Sequence, residues 1–176
     1  MPRYVVLLRG VNVGGSGRMA MADLRACVEG IGHEDVATHI QTGNVILRAS
    51  SRSAETVAKA VEAAVAKDLG FETSAMVRTA AQLRRVLDAE PFPDADQAAL
   101  HVAFVRAKPD AAKAGGLVAP EGPDELVVAG QEVHLHYPDG MGRSKLSGAY
   151  LEKRLGVPLT ARKRTVVAKL LELLEE

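Results

Sequence analysis

Aromatic side chains are scarce in this sequence: Phe, Tyr and Trp make up 3% of 176 residues, and Trp is absent. The core must therefore be assembled from Val, Leu and Ile, which suits helices layered on sheets. A single cysteine excludes an internal disulfide. Cys27 falls among Leu24, Val28 and Ile31 at helical spacing with no basic residue flanking it, so it reads as a small buried hydrophobe and not as a nucleophile. No apolar run reaches the roughly 20 residues of a membrane span. Met1-Pro2-Arg3-Tyr4 runs directly into a strand-like segment where a secretory signal would carry its apolar stretch, so a cytoplasmic location and no membrane partner are expected. Net charge is also missing, with 22 basic and 22 acidic side chains, which argues against a general nucleic-acid coat.

Charge is nevertheless distributed unevenly. Residues 88–139 hold ten acidic and three basic side chains, whereas residues 143–169 hold eight basic residues against Glu152 alone. Two readings are open: a local positive surface near the C-terminus, or a solvated helix face paired with the acidic middle.

A chain of this length buries roughly two-thirds of its unfolded surface, enough for one large or two small domains. Tyr4 to Leu8 is a continuous apolar run bounded by Gly10 and reads as a strand buried on both faces. Met21, Leu24, Val28 and Ile31 recur at helical spacing and stop at Gly32. Val36 to Gln41 and Val45 to Arg48 read as a hairpin across Thr42-Gly43-Asn44, where Gly and Asn tolerate positive φ. Residues 54–69 carry Val57, Val61, Val65 and Leu69 on one helical face, closed by Gly70, and Thr73 to Arg78 can return as a strand. The order βαββαβ is ferredoxin-like. A similar pattern resumes near residue 100, with a strand at Leu100 to Val105, a short helix after Pro109, a hairpin across Gly130-Gln131 and a helix over 147–155. An amphipathic helix with Val166, Val167, Leu170, Leu171 and Leu174 ends the chain. The expected fold is α+β: a ferredoxin-like half over 1–80 with the Gly-rich loop, a connector over 81–99 containing Pro91 and Pro93, and a second similar half over 100–176 with the C-terminal helix.

Chemistry is most concentrated at Arg9-Gly10-Val11-Asn12-Val13-Gly14-Gly15-Ser16-Gly17, between a strand and a helix start. Unpaired N–H groups in such a loop, aligned with the positive helix end, bind anions without a charged side chain. The string matches neither the Walker pattern nor GxGxxG, and many such turns use Gly for conformation alone. In a ferredoxin-like topology the first and third strands are neighbours, so this loop and the hairpin turn share one end of the sheet. Arg9 and Asn12 would then meet Gln41, Thr42 and Asn44, a set suited to carboxylate, phosphate or base edges; the plainer alternative is that Asn44 forms the turn and Gln41 is a surface residue. Pro138 to Lys145 again joins a strand to a helix with glycines, Ser144 and Lys145, and serves equally as a phosphate loop or a solvated turn. Arg162, Lys163 and Arg164 follow Thr160 near the expected start of the last helix, where positive charge opposes the helix dipole and asks for an anionic partner, from outside or from the acidic middle of the chain. His134 and His136 share one strand face, but no third ligand accompanies them, so no metal is expected and both are assigned to the wet face. Ser144 and Ser147 lack the setting of a hydrolytic nucleophile, and neither a catalytic signature nor a cofactor motif is present.

The strings RGVNVGG, MAMADLR, THIQTGNVIL, PF, PDGMGRSKL and LTARKRTV, in this order across nearly the whole chain, resemble the bacterial domain-of-unknown-function family 1697. The resemblance implies an α+β fold with ferredoxin-like elements and no settled biochemical activity. Its pattern falls on Arg9, Gly10, Asn12, Gly14, Gly15, Gln41, Gly43, Asn44, Ser144, Lys145, Thr160 and Arg162. This chain departs from it at Thr42, where Ser is usual, and at Lys163, where Asn is usual, which puts an amide-dependent role there in doubt. The expectation is a protein that binds a nucleotide, phosphate or nucleic-acid end through its strand-end loops. Alternatives are phosphoryl or acyl transfer, with Arg9 stabilising charge and Ser144 or Lys145 supplied by the second half, and an interaction module, including a homodimer, that needs no small-molecule site.

Overall fold

The computed structural model describes residues 1–13 and 18–176. The chain forms two compact units, Met1–Leu83 with Leu170–Glu176, and Arg84–Lys169.

The first unit contains β1 (Arg3–Leu8), α1 (Met21–Glu29), β2 (Glu34–His39), β3 (Asn44–Arg48), α2 (Ala54–Leu69) and β4 (Ala75–Arg78). Its sheet runs in the order β2-β3-β1-β4 with antiparallel pairing throughout, the ferredoxin-like arrangement that the βαββαβ order implies. Val6, Leu8, Val45, Leu47 and Val77 project from one face of this sheet onto Leu24 and Val28 of α1 and Val57, Val61 and Val65 of α2. The helix α2 has clear ends. The Ser53 hydroxyl accepts the Thr56 N–H at 3.1 Å, and Gly70 closes the last turn in the left-handed conformation at φ 64°.

The helix α3 (Ala80–Asp88) takes up the first part of the stretch 81–99 expected as a connector. Its start is a reciprocal cap: Thr79 Oγ1 accepts the Gln82 N–H at 3.1 Å and Gln82 Oε1 accepts the Thr79 N–H at 2.8 Å.

The second unit carries a 3₁₀ turn at Gln97–Ala99, then β5 (Leu100–Val105), α4 (Ala111–Gly115), β6 (Glu125–Ala129), β7 (Glu132–His136), α5 (Gly148–Leu155) and β8 (Leu159–Lys163); α6 (Arg164–Glu175) follows. The sheet order β6-β7-β5-β8 repeats that of the first unit. The two halves are similar down to register: Val5 pairs with Ile46 and Arg78, and Val102 with His134 and Arg162. Ala103, Val105, Val133, Leu135 and Tyr137 pack against Leu146, Leu151, Leu155 and Leu159.

Two expectations are corrected here. Arg162 and Lys163 lie in the strand β8 and not at a helix start, because residues 159–163 pair with β5 along its length. Only Arg164 begins α6, and it donates to Leu87 O at 2.5 Å and Ala89 O at 3.4 Å, so its charge is set against the carbonyl end of α3. His134 is buried, not wet: Pro91, Phe92 and Pro93 lie over its face of the strand and enclose with it, Gln97, Leu100 and Arg164 a cavity of about 30 Å³, the size of a water molecule. His136 is partly covered, stacks on Phe92 at 5.4 Å and meets Glu125 at 3.0 Å.

Candidate functional site

The pairing of Leu7 with Asn44 brings the end of β1 and the turn before β3 to one rim of the first sheet. The Leu8 N–H donates to Gly43 O at 2.9 Å. The Arg9 N–H donates to Ser74 O at 3.0 Å and to Thr73 Oγ1 at 3.1 Å, and the Thr73 hydroxyl donates to Arg9 O at 2.8 Å. The main chain of Arg9 is thus clamped at the foot of β4 while its side chain stays exposed. Gly10 follows at φ 76° and Asn12 at φ 54°, both left-handed.

Asn12 fastens the two bends together. Its amide N–H₂ donates to Gln41 O at 2.7 Å and to Met19 O at 2.9 Å, and its Oδ1 accepts the Met19 N–H at 2.7 Å. Asn44 is fully buried, and its N–H₂ donates to His39 O at 3.1 Å and Thr42 Oγ1 at 3.0 Å, which closes the turn. Both amides are therefore occupied by the chain itself. Gly43, at φ 81°, has room for no side chain: a Cβ there would stand 3.0 Å from Leu8 Cβ and 3.1 Å from Val11 Cβ. The turn between β2 and β3 also holds Ile40 at φ 53° with 46% of its surface exposed. A β-branched residue in that conformation is strained by about 1–3 kcal/mol. Gln41, next to it, is exposed.

At the far end of the loop, α1 begins after Ala20 with no side-chain cap and with Asp23 in its first turn. A cavity of about 380 Å³ lies there, lined by Arg18, Met19, Ala20, Asp23, Leu69, Gly70 and Phe71. Arg9, Gly10, Asn12, Gln41, Gly43 and Asn44 accordingly share one rim, whereas Gly14 and Gly15 lie outside the described residues.

Ser144, Lys145 and Arg162 belong to the second unit. The Ser144 hydroxyl donates to Asp124 Oδ2 and accepts the Leu146 N–H at 2.9 Å. Lys145 is exposed beside a cavity of about 290 Å³ formed by residues 120–124 and the 139–145 loop. Arg162 is buried. Its Nη1 donates to Thr160 Oγ1 at 2.6 Å and Ala161 O at 3.0 Å, and burial pushes its pKa down to about 10. Burial lowers the pKa values of His101 and His134, with Lys163 adding to the first shift and Arg164 to the second. Among the described residues no group of three or more His, Cys, Asp or Glu is placed to hold a metal ion.

Thr73, Ile40 and Asp124 were not singled out from the sequence. Thr73 acts only because β4 lies beside β1, a contact with no local signal. Asp124 ends Pro120-Glu121-Gly122-Pro123-Asp124, whose turn-forming composition does mark a loop.

A family model described as "Protein of unknown function (DUF1697)" matches residues 1–134. No curated protein matches the chain. Among solved structures, the conserved bacterial protein SP0830 from Streptococcus pneumoniae is similar: 24% identical, with 100% of this chain and 99% of that chain covered and a TM-score of 0.76. At that identity the likeness speaks for the fold alone.

Proposed function

The chain belongs to the family of proteins of unknown function DUF1697, and since that membership brings no ligand with it, we propose from the rim geometry that the protein binds a phosphate-bearing or otherwise anionic ligand, a nucleotide or a nucleic-acid end. The binding surface is the rim built by the loop after β1 and the turn before β3, with the exposed side chains of Arg9, Arg18 and Gln41 and the main chain around Gly10 as the contacting groups. Asn12 and Asn44 act behind this surface by holding the two bends.

One observation carries the reading: the rim is elaborated beyond what the framework needs. In both halves an arginine follows the first strand, Arg9 and Arg106, and both use its N–H in the same way, to Ser74 O and Pro158 O. Yet twelve residues (9–20) join β1 to α1, against five (106–110) between β5 and α4. Four residues (40–43) turn β2 into β3, against two (130–131) between β6 and β7. Connections in compact domains commonly take 2–6 residues, so the turn is ordinary in length and the twelve-residue loop is the long one, of a kind that is often functional. Asn12 ties the described ends of the loop to the turn, and the turn holds Ile40 in a strained, exposed position, a combination that accumulates at binding sites. The uncapped start of α1 adds N–H groups of positive polarity.

The test is a thermal-shift screen against nucleotides, inorganic phosphate and short oligonucleotides, with Arg9→Ala and Arg18→Ala beside the wild type. Binding at 100 times Kd stabilises by about 2.7 kcal/mol, a shift of a few degrees. The wild type is expected to be stabilised by at least one phosphate-bearing compound and both variants to respond less. Identical responses from all three proteins would remove the site.

A further inference from the structure

The acidic stretch gives way to the basic one between Asp139, the last acid of the first, and Arg143, the first base of the second. That boundary falls on the cavity of about 290 Å³ between residues 120–124 and the 139–145 loop. Its lining includes three carboxylates, Glu121, Asp124 and Asp139, and two cations, Arg143 and Lys145, while its apolar part is limited to prolines and glycine main chain. Among the described residues only Asp124 of the three acids is engaged, by the Ser144 hydroxyl, and neither cation is joined to any of the three carboxylates as an ion pair. Opposite charges that face one cavity without meeting are matched by a guest that brings both signs.

We propose that this cavity binds a small zwitterion, a molecule with an ammonium at one end and a phosphate or carboxylate at the other. A lone oxyanion is disfavoured because carboxylates outnumber cations in the lining, and a lone amine must sit against Arg143 and Lys145. The carboxylates of Glu121 and Asp139 take the ammonium, and Arg143 and Lys145 take the oxyanion.

The walls are built to hold such a guest in one place. The buried Tyr137 hydroxyl donates to Leu146 O at 2.7 Å and ties the two ends of the loop, and the Gly140 N–H donates to Tyr137 O at 3.0 Å. The bond from Ser144 to Asp124 joins the loop to the opposite wall, so the cavity keeps its width when empty. Gly122 and Gly140, both at positive φ, line it, and open space stands where their Cβ atoms would be. Main-chain atoms can therefore be approached closely.

Amide NMR of the full chain tests this, with phosphoethanolamine as the probe and with inorganic phosphate and ethanolamine as its two separate halves. Phosphoethanolamine is expected to shift the amide signals of Gly122, Gly140 and Gly142 saturably, and to bind about tenfold more tightly than either half. Lys145→Ala and Asp139→Asn, both at exposed positions, are each expected to weaken it by about tenfold while leaving the other signals unchanged. Equal binding of a half-probe, an absence of shifts at the three glycines, or unaltered binding by both variants overturns the proposal.

Discussion

Every hydrogen-bonding group of the Asn12 amide is engaged within the chain, and so are both amide protons of Asn44. Polar residues that look like readers of a ligand are here the fasteners of the surface that would read it. The histidines follow the same logic of burial. In the native state His33, His101 and His134 have pKa values depressed chiefly by desolvation, so they take up a proton less readily than in the unfolded chain, where each titrates near pH 6.5. Below that pH the unfolded state binds more protons than the native one, so their contribution to stability is complete above about pH 6.5 and is lost as pH falls. Urea titrations at pH 8 and pH 5 are expected to show this loss, and His134→Leu to make it smaller; an unchanged loss in the variant would mean that His134 is not the buried base described here. The sequence did reveal the alternation of His134 and His136 along one face. It could not reveal that Pro91 and Phe92, more than forty positions earlier, fold over that face, because coverage by a distant segment leaves no local pattern.

At the scale of elements, legibility followed the strength of the end signals. The valines at helical spacing and Gly70 mark α2, and Tyr4 to Leu8 is a central strand as its continuous apolar run implies. Helix α3 was missed although Thr79 and Gln82 form a readable capping pair, since Pro91 and Pro93 drew the whole stretch toward a connector. Strand β8 was missed because Arg162 and Lys163 look unlike a strand interior; an edge strand tolerates them, and the conflict of Arg162 to Arg164 with a helix dipole was itself the clue. Two glycines at element boundaries separate conformational cost from packing cost. Gly70→Ala and Gly43→Ala both force a side chain into left-handed φ, at about 1–2 kcal/mol. Around Gly70 the space is open, whereas at Gly43 the new methyl meets Leu8 and Val11 at Cβ and cannot swing away. Overpacking of that kind adds about 1–3 kcal/mol. Chemical denaturation is therefore expected to rank Gly43→Ala as clearly the less stable, and equal losses would mean that the turn does not press on β1.

For the molecule as a whole, two copies of one framework separate what folding requires from what has been added. No helix among the described residues is long and apolar enough to cross a membrane, and the repeat βαββαβ was legible because each half carries its own alternation of strand and helix signals. The use made of the framework was less legible, since loop length has meaning only once the corresponding connection in the other half is known. That comparison supplies an experiment. In the second half Ala129 pairs with Glu132 across a two-residue turn, and the Val105 N–H still reaches Gln131 O at 2.9 Å. In the first half His39 pairs with Asn44 across residues 40–43, and the Leu8 N–H makes the matching bond to Gly43 O. Replacing Ile40–Gly43 by Asn-Gly leaves the closing pair intact, suits a tight hairpin turn and allows the Leu8 bond to re-form to the second turn residue. It also removes Gln41, the strained Ile40 and the anchor of Asn12. The shortened protein is expected to unfold cooperatively within about 2 kcal/mol of wild type, because the strain released offsets the lost bracket. Its response to phosphate-bearing compounds should disappear. A shortened chain that folds and still responds would show the added turn to be ornament, and the binding surface would have to be sought along the loop after β1 alone.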